Sequence, residues 1–146
     1  MRKAILAAVA IVAALSLAGC EPTAPIPTPS PSAVIGTWRH GSDILRINAD
    51  GTFSINHMPL GVVEQSPVAA GAAPAGPPES ATGTWAIGSG GTDAAGAPGV
   101  QLDFTNPRRV GPDYGLTLIV SDDDPMQLYV FLGRSDSDIR YNFHHS

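Results

Sequence analysis

The stretch that decides the fold is Leu45-Arg46-Ile47-Asn48-Ala49-Asp50-Gly51-Thr52-Phe53-Ser54-Ile55. Apolar residues occupy alternate positions on both sides of a central Asn-Ala-Asp-Gly, as in two strands that each bury one face. The Asp-Gly pair supplies the residues that a tight hairpin turn requires. The stretch therefore predicts an antiparallel hairpin whose apolar side chains face a common core.

The same period of two recurs towards the C-terminus. It is shown by the apolar sets Val100, Leu102, Phe104 and Ile139, Tyr141, Phe143. Residues 114–121 and 127–132 are more continuously apolar and are separated by an Asp-Asp-Asp-Pro turn, so they predict the best-buried hairpin. Seven or eight short strands, with no helical stripe after the N-terminal segment, predict an all-β fold. The architecture is either a small antiparallel meander barrel or a sandwich.

Two features divide the predicted sheet. The block Gly36-Thr37-Trp38 recurs as Gly83-Thr84-Trp85, each time at the expected start of a strand, which predicts two similar sheet halves. Between the two blocks lies a low-complexity insert of Ala, Gly and Pro at residues 66–81. Because it has nothing large to bury, this insert is predicted to be a mobile loop.

The N-terminal residues are of a different kind. Arg2 and Lys3 precede an apolar run at residues 4–15, which is the layout of a secretory signal segment and is shorter than the roughly 20 residues of a membrane span. The quartet Leu17-Ala18-Gly19-Cys20 follows and resembles the lipobox of bacterial lipoproteins. That resemblance implies cleavage before Cys20 and attachment of fatty acyl chains to it. The alternative is that Cys20 simply follows an ordinary signal peptide.

These features predict three parts: a signal peptide at 1–19, a lipidated Cys20 with a Pro-rich tether at 20–33, and a β domain at 34–146. The tether contains five prolines between Glu21 and Ser32, and such a sequence favours an extended spacer. Several acyl chains together give stable anchoring. The expected location is the extracytoplasmic face of a bacterial cell membrane.

Short motifs in the β domain resemble a known family. Gly36-Thr37-Trp38 and Asp50-Gly51-Thr52-Phe53 are similar to motifs of small lipocalin-like β-barrel domains of bacterial surface lipoproteins. The turn Asp136-Ser137-Asp138 before Tyr141-Asn142-Phe143 resembles the closing strand of such domains. The resemblance implies a meander barrel, and it assigns no ligand, because a shared fold does not transfer function.

Composition excludes several functions. Loss of residues 1–19 would remove Arg2 and Lys3 and leave six arginines against 13 acidic residues, a formal charge of −7. Such a chain lacks the basic surface that nucleic acid requires. Lys3 is the only lysine and Cys20 the only cysteine, so the mature chain has no lysine or free thiol for covalent catalysis.

Four candidate motifs each have a simpler interpretation. His144 and His145 suggest a metal site, but neighbours on a strand point to opposite faces, so a solvated chain end is preferred. Asp122-Asp123-Asp124 offers oxygen ligands for Ca²⁺, or forms an exposed turn. Arg108-Arg109 would grip an anion, or are solvated. Gly88-Ser89-Gly90-Gly91 lacks the lysine of a phosphate-binding loop and is interpreted as a flexible loop.

The remaining candidates are Trp38 and Trp85, which either line a cavity for a small ligand or pack in the core. With no catalytic constellation, the sequence predicts no enzyme activity, no cofactor and no metal. We expect a lipid-anchored binding or interaction module of the cell envelope, whose partner is an envelope protein or a small apolar ligand. The alternatives are a lipocalin-like carrier of such a ligand and a lipoprotein inhibitor of a protease.

Overall fold

The computed structural model describes residues 28–89, 98–107, 115–121, 123–133 and 139–146. Two helices of four residues each are present in these ranges, α1 (Pro31–Val34) and α2 (Leu60–Val63). The strands are β1 (Gly36–His40), β2 (Asp43–Ile47), β3 (Thr52–Pro59), β4 (Pro78–Ser89), β5 (Pro98–Asn106), β6 (Gly115–Val120), β7 (Gln127–Phe131) and β8 (Arg140–His145).

Each strand pairs antiparallel with the next, and β8 pairs with β1 to close the sheet into a barrel. The closing register places Trp38 opposite His145 and Arg39 opposite His144. Closure pairs the first strand with the last, so neither is left as an open edge of the sheet. The predicted all-β fold is confirmed, and the barrel is the correct one of the two predicted architectures.

The hairpin predicted from residues 45–55 is confirmed as β2 and β3. Leu45 lies opposite Ile55, and Ile47 lies opposite Phe53. In the turn, Asp50 Oδ1 accepts hydrogen bonds from the backbone N–H of Thr52 at 3.0 Å and from its hydroxyl at 2.6 Å. These hydrogen bonds favour the charged carboxylate, so the pKa of Asp50 is lowered.

Apolar side chains from all eight strands occupy the barrel interior and form one contiguous cluster. The largest with under two per cent exposure are Trp38, Phe53, Phe143, Leu45, Ile47, Met58, Leu102, Leu116, Leu118 and Leu128. Leu45, Ile47, Phe53, Leu102 and Phe143 come from the alternate positions that the sequence pattern predicted to face the core, whereas Met58 follows the register shift in β3. Burial of a side chain of this size contributes roughly 1.5–3 kcal/mol each, which makes the interior the main source of stability.

The two ends of the barrel differ. We call the end where α1 leads into β1 the entry end; it also holds the β2–β3 turn at residues 48–51. Here Val34 is fully buried, and Trp38 Nε1 donates a hydrogen bond to the Val34 carbonyl at 2.8 Å. The opposite end, which we call the far end, holds the β1–β2 turn at residues 41–42, α2 and residues 64–77.

Residues 64–77 are hydrogen-bonded to the far end of the barrel. Gly61 N–H donates to Ala75 O at 2.8 Å, and Gly133 N–H donates to Gln65 O at 2.8 Å. A Cβ at Gly61 would lie 2.6 Å from Ala75 O, so only glycine permits this approach. The segment thus folds back against α2 and the end of β7.

Three boundaries differ from the sequence analysis. β4 begins at Pro78, inside the range assigned to the insert, because Ala81 pairs with Ile55 and is buried in the core. α1 forms within the range assigned to the tether, because Pro31 is suited to the first turn of a helix. The block Gly83-Thr84-Trp85 lies in the middle of β4 within one continuous sheet, so it does not begin a second sheet half.

Candidate functional site at the far end of the barrel

The main polar feature of the barrel interior is the carboxylate of Asp43. In β2 the positions of Asp43, Leu45 and Ile47 alternate with outward-facing residues, so Asp43 points into the barrel like the two apolar residues. Its side chain is only 9% exposed. As the first residue of β2, it lies at the far end, directly across the β1–β2 turn from His40.

Within the described residues, three side chains contact this carboxylate. The Tyr141 hydroxyl donates a hydrogen bond to Oδ2. The Ser42 hydroxyl donates to Oδ1 at 3.3 Å. The His57 Nδ1 lies 3.5 Å from the same Oδ1, which is longer than an ordinary hydrogen bond. Oδ2 therefore has a hydroxyl donor from the barrel interior, whereas the two contacts of Oδ1 are both longer than about 3.2 Å.

His57 reaches Asp43 from an irregular point in β3. The pairing of β3 with β4 shifts between Ile55 and Met58, which marks a β-bulge. His57 sits in this bulge with a positive φ of 67°, a conformation that histidine tolerates better than most side chains. The bulge turns its imidazole towards the barrel mouth, where the side chain remains 59% exposed.

His40 covers the other side of the site. Its ring stacks on the Tyr141 ring, with centroids 3.8 Å apart and an interplanar angle of 27°. His40 Nδ1 lies 2.8 Å from the Asn142 carbonyl oxygen. Because a carbonyl can only accept, Nδ1 carries the proton, and in the neutral ring Nε2 is left as an acceptor.

The hydroxyl of Tyr141 remains protonated throughout the physiological range. Burial raises the pKa of Tyr141 far above its ordinary value, and the hydrogen bond to the Asp43 carboxylate and the negative charge of that group raise it further. Tyr141 is therefore a permanent donor to Asp43.

Among the described residues, no arginine contributes its charge to this carboxylate. Arg39 and Arg46 lie at exposed, outward-facing strand positions. Arg140 lies over the rings of Tyr129 and Phe131, with its guanidinium carbon 4.5 Å and 5.4 Å from their centroids. The described charge next to Asp43 is therefore limited to whatever His57 carries.

The hydrogen bonds of the cluster define its chemistry. Ser42 gives its hydroxyl to the carboxylate and not to an imidazole, so the cluster does not pair a nucleophile with a base. Within the described ranges, no group of three or more His, Cys, Asp or Glu side chains is arranged to hold a metal ion. A buried carboxylate beside two imidazole rings can instead accept hydrogen bonds from a cationic ligand.

The two candidate ligand-binding tryptophans both contact the backbone at the entry end. Trp38 is fully buried in the core, with its N–H on Val34 O. Trp85 is half-buried, and its Nε1 donates to Asn48 O at 2.8 Å. The structure does not bring either residue to the cluster around Asp43.

The other candidates are dispersed. His144 is exposed on the outside of β8, whereas His145 lies edge-on to Trp38 with centroids 4.9 Å apart, so the two imidazoles lie on opposite faces. Asp123 and Asp124 are exposed. Several predicted features fall outside the described residues: the lipobox with Cys20, Arg108 and Arg109, Asp122, Gly90 and Gly91, and the turn at residues 136–138.

Sequence reasoning did not select Asp43, His57 or Tyr141 as site residues. One signal was available, because Asp43 occupies the apolar phase of the alternation that continues through Leu45 and Ile47. A charged residue in that phase must either find partners or mark a site. Nothing in the local sequence shows that its partner lies 98 residues away.

Comparison of the chain with protein-family models, with curated proteins and with solved structures found no match. Both described helices are only one turn long, and none of the helices in this part of the chain has the length and apolar character needed to cross a membrane.

Proposed function

We propose that the protein is a lipid-anchored, non-enzymatic binding module of the bacterial cell envelope, with its recognition surface at the far end of the barrel. The acyl chains would be attached at Cys20, in the sequence that resembles a lipobox. The Pro-rich tether would then hold the barrel away from the outer face of the membrane.

The observation that carries this proposal is the placement of the polar cluster relative to the point of attachment. The chain reaches β1 through α1 at the entry end, whereas His40, Asp43 and His57 lie at the far end. A barrel anchored through its N-terminus therefore presents this cluster towards the space beyond the membrane. Binding at that end requires no rearrangement of the anchor.

The packing of the interior favours recognition at the far end over a cavity deep in the barrel. Trp38, Phe53 and Phe143 are at most 1% exposed and belong to one cluster with the aliphatic core. Interiors of this kind are close-packed, and a ligand the size of a lipid would have to displace them. The far end instead offers exposed polar groups beside a buried charge.

Site-specific photo-crosslinking on intact cells tests the proposed surface. A photoreactive amino acid is placed at exposed Gln65, at the far end, and in a matched strain at exposed Ala49, in the entry-end turn. We expect a reproducible crosslinked species from position 65 and not from position 49. Equal crosslinking from both positions, or crosslinking from position 49 alone, would contradict the proposal.

The anchor is tested separately with Cys20→Ser. The substitution removes the sulfur that carries the acyl chains, so the protein should move from the membrane fraction to the soluble fraction. Serine elsewhere in the tether, for example at Thr23, provides the control. Unchanged fractionation of Cys20→Ser with the membrane would refute the anchoring part of the proposal.

A further inference from the structure

The carboxylate of Asp43 is buried, and two of the three side chains that contact it in the described residues are uncharged hydroxyl groups. The hydroxyl groups of Tyr141 and Ser42 satisfy hydrogen-bonding capacity without supplying positive charge. Buried charges are normally paired with an opposite charge because removal from water is costly. Among the described residues, the three arginines lie on the outside of the barrel, and His57 is the group beside Asp43 that can carry a positive charge.

The contact with His57 is one that a ligand can replace. The 3.5 Å separation of Nδ1 and Oδ1 exceeds the usual range for N–H···O hydrogen bonds. The imidazole is more than half exposed, so moving it aside removes little packing. The outward displacement of His57 would open Oδ1 at the barrel mouth.

The hydrogen-bond acceptors that remain available in the site determine which cation fits. Oδ2 faces the buried Tyr141 hydroxyl, so a ligand that enters from the mouth meets Oδ1 first, and the planar fork of a guanidinium group, which pairs best with both oxygens at once, fits this approach less well. Oδ1 keeps acceptor capacity beyond the 3.3 Å hydrogen bond from Ser42, and the Ser42 hydroxyl oxygen lies beside it as a second acceptor. A primary ammonium group has three donors, no acceptor and a compact charge, and it matches a set of separate acceptors.

We propose that the far-end mouth binds the primary ammonium group of a ligand, with Asp43 Oδ1 as its counter-charge and His57 as the side chain it displaces. This inference rests on the proposed recognition role of the far end and names the chemical class recognised there. The ammonium group belongs either to a lysine side chain of a partner protein or to a free alkyl polyamine. The net negative charge of the chain favours the approach of either.

The experiment is a titration of the full chain in detergent, followed by nuclear magnetic resonance of the His57 and Tyr141 rings. The probe is n-butylamine at neutral pH, with butanol as the uncharged control and butylguanidine as the planar cation. We expect saturable shifts of both rings with butylamine, at least about tenfold weaker binding of butylguanidine, and no saturable shift with butanol. Linear shifts with butylamine, or saturation with butanol, would overturn the proposal.

Three variants locate the site. Asp43→Asn keeps an acceptor for Tyr141 but removes the charge, and should weaken butylamine binding at least about tenfold. Asp50→Asn, the same change at an exposed position of the entry end, should leave binding unchanged. His57→Gly, which the positive φ tolerates, should bind butylamine more tightly because the competing side chain is gone. If Asp43→Asn binds butylamine as tightly as wild type does, the proposal is wrong. If Asp43→Asn does not fold, the comparison of butylamine with butanol on the wild-type protein decides the question.

Two further probes identify the source of the ammonium group. Tighter binding of an acetyl-lysine amide than of spermidine assigns the site to a lysine side chain, and the reverse order assigns it to a free polyamine. Equal binding supports the shared chemistry alone. If the amines do not bind but position 65 gives a crosslinked species, the ammonium site is rejected and the proposed recognition surface at the far end remains. The opposite result would reject the crosslinked surface but not the ammonium site.

Discussion

Tyr141→Phe is the substitution that most directly probes the polar cluster. It removes one oxygen atom and leaves the ring, so the stacking on His40 is retained. The buried Asp43 Oδ2 then loses the donor on which it depends. A hydrogen bond to a charged group contributes about 1.5–3 kcal/mol, and a buried charged acceptor left without a partner tends towards the upper part of that range.

We therefore expect Tyr141→Phe to lower the free energy of unfolding at neutral pH by about 2–3 kcal/mol. With a urea dependence of about 2 kcal/mol per molar, this is a shift of roughly 1 M in the unfolding midpoint. The measurement is equilibrium urea unfolding followed by tryptophan fluorescence. A double-mutant cycle with Asp43→Asn isolates the interaction between the two side chains from other effects of each substitution.

Tyr141 also makes the stability of the protein depend on pH in the alkaline range. The pKa of Tyr141 is raised in the folded state above its unfolded value of 10.0. Its contribution to stability is thus fully present below about pH 10 and is lost as the pH rises above that value, because only the unfolded chain releases the proton. Tyr141→Phe should lack this component of the alkaline loss. A variant within about 0.5 kcal/mol of wild type at neutral pH, with the same alkaline profile, would refute the reasoning.

Three other predictions concern the scaffold. Gly83→Ala should lower the free energy of unfolding by about 3 kcal/mol, because the new Cβ would lie 1.9 Å from the Asp103 carbonyl oxygen. The measurement is a urea titration, and an unchanged free energy of unfolding would show that β4 and β5 separate easily at this point. Trp38→Phe should lower the free energy of unfolding by about 2–3 kcal/mol, because it leaves a void in the core and removes the hydrogen-bond donor of the Val34 carbonyl. A thermal unfolding midpoint equal to that of wild type would contradict this prediction. The hydrogen bonds that lower the pKa of Asp50 stabilise the folded state above about pH 3.8, and this stabilisation is lost as the pH falls through the folded-state pKa. The loss of stability at acid pH should therefore be smaller in Asp50→Asn than in wild type. Identical acid titrations of the two proteins would exclude the effect.

Local patterns were sufficient to predict the strands. Alternation in residues 45–55 gave both strands of the first hairpin and the inward-facing set, since side-chain direction along a strand depends only on position. The end of the insert was harder to locate. Pro78 and Glu79 resemble the loop before them in composition, and they join β4 because Pro59 and Met58 pair with them across the sheet.

The candidate site could not be found in the same way. Asp43 and Tyr141 are 98 residues apart in the sequence and meet only because β8 closes against β1. His57 appears in the sequence as part of an ordinary strand, and its orientation follows from a bulge that only the pairing with β4 reveals. Predicting such a cluster requires the register of non-neighbouring strands, which single-sequence periodicity does not contain.

Closure of the sheet also means that the cyclic order of the strands, and not the position of the chain ends, defines the eight pairings. Ser146 N–H donates to Thr37 O at 2.9 Å, so the last described residue touches the first strand. The protein is therefore suited to circular permutation. A short linker would join the end of β8 to the residues before β1, and the new termini would lie within residues 64–77. The same eight pairings would then form in a different sequential order, with the chain ends moved to the opposite end of the barrel.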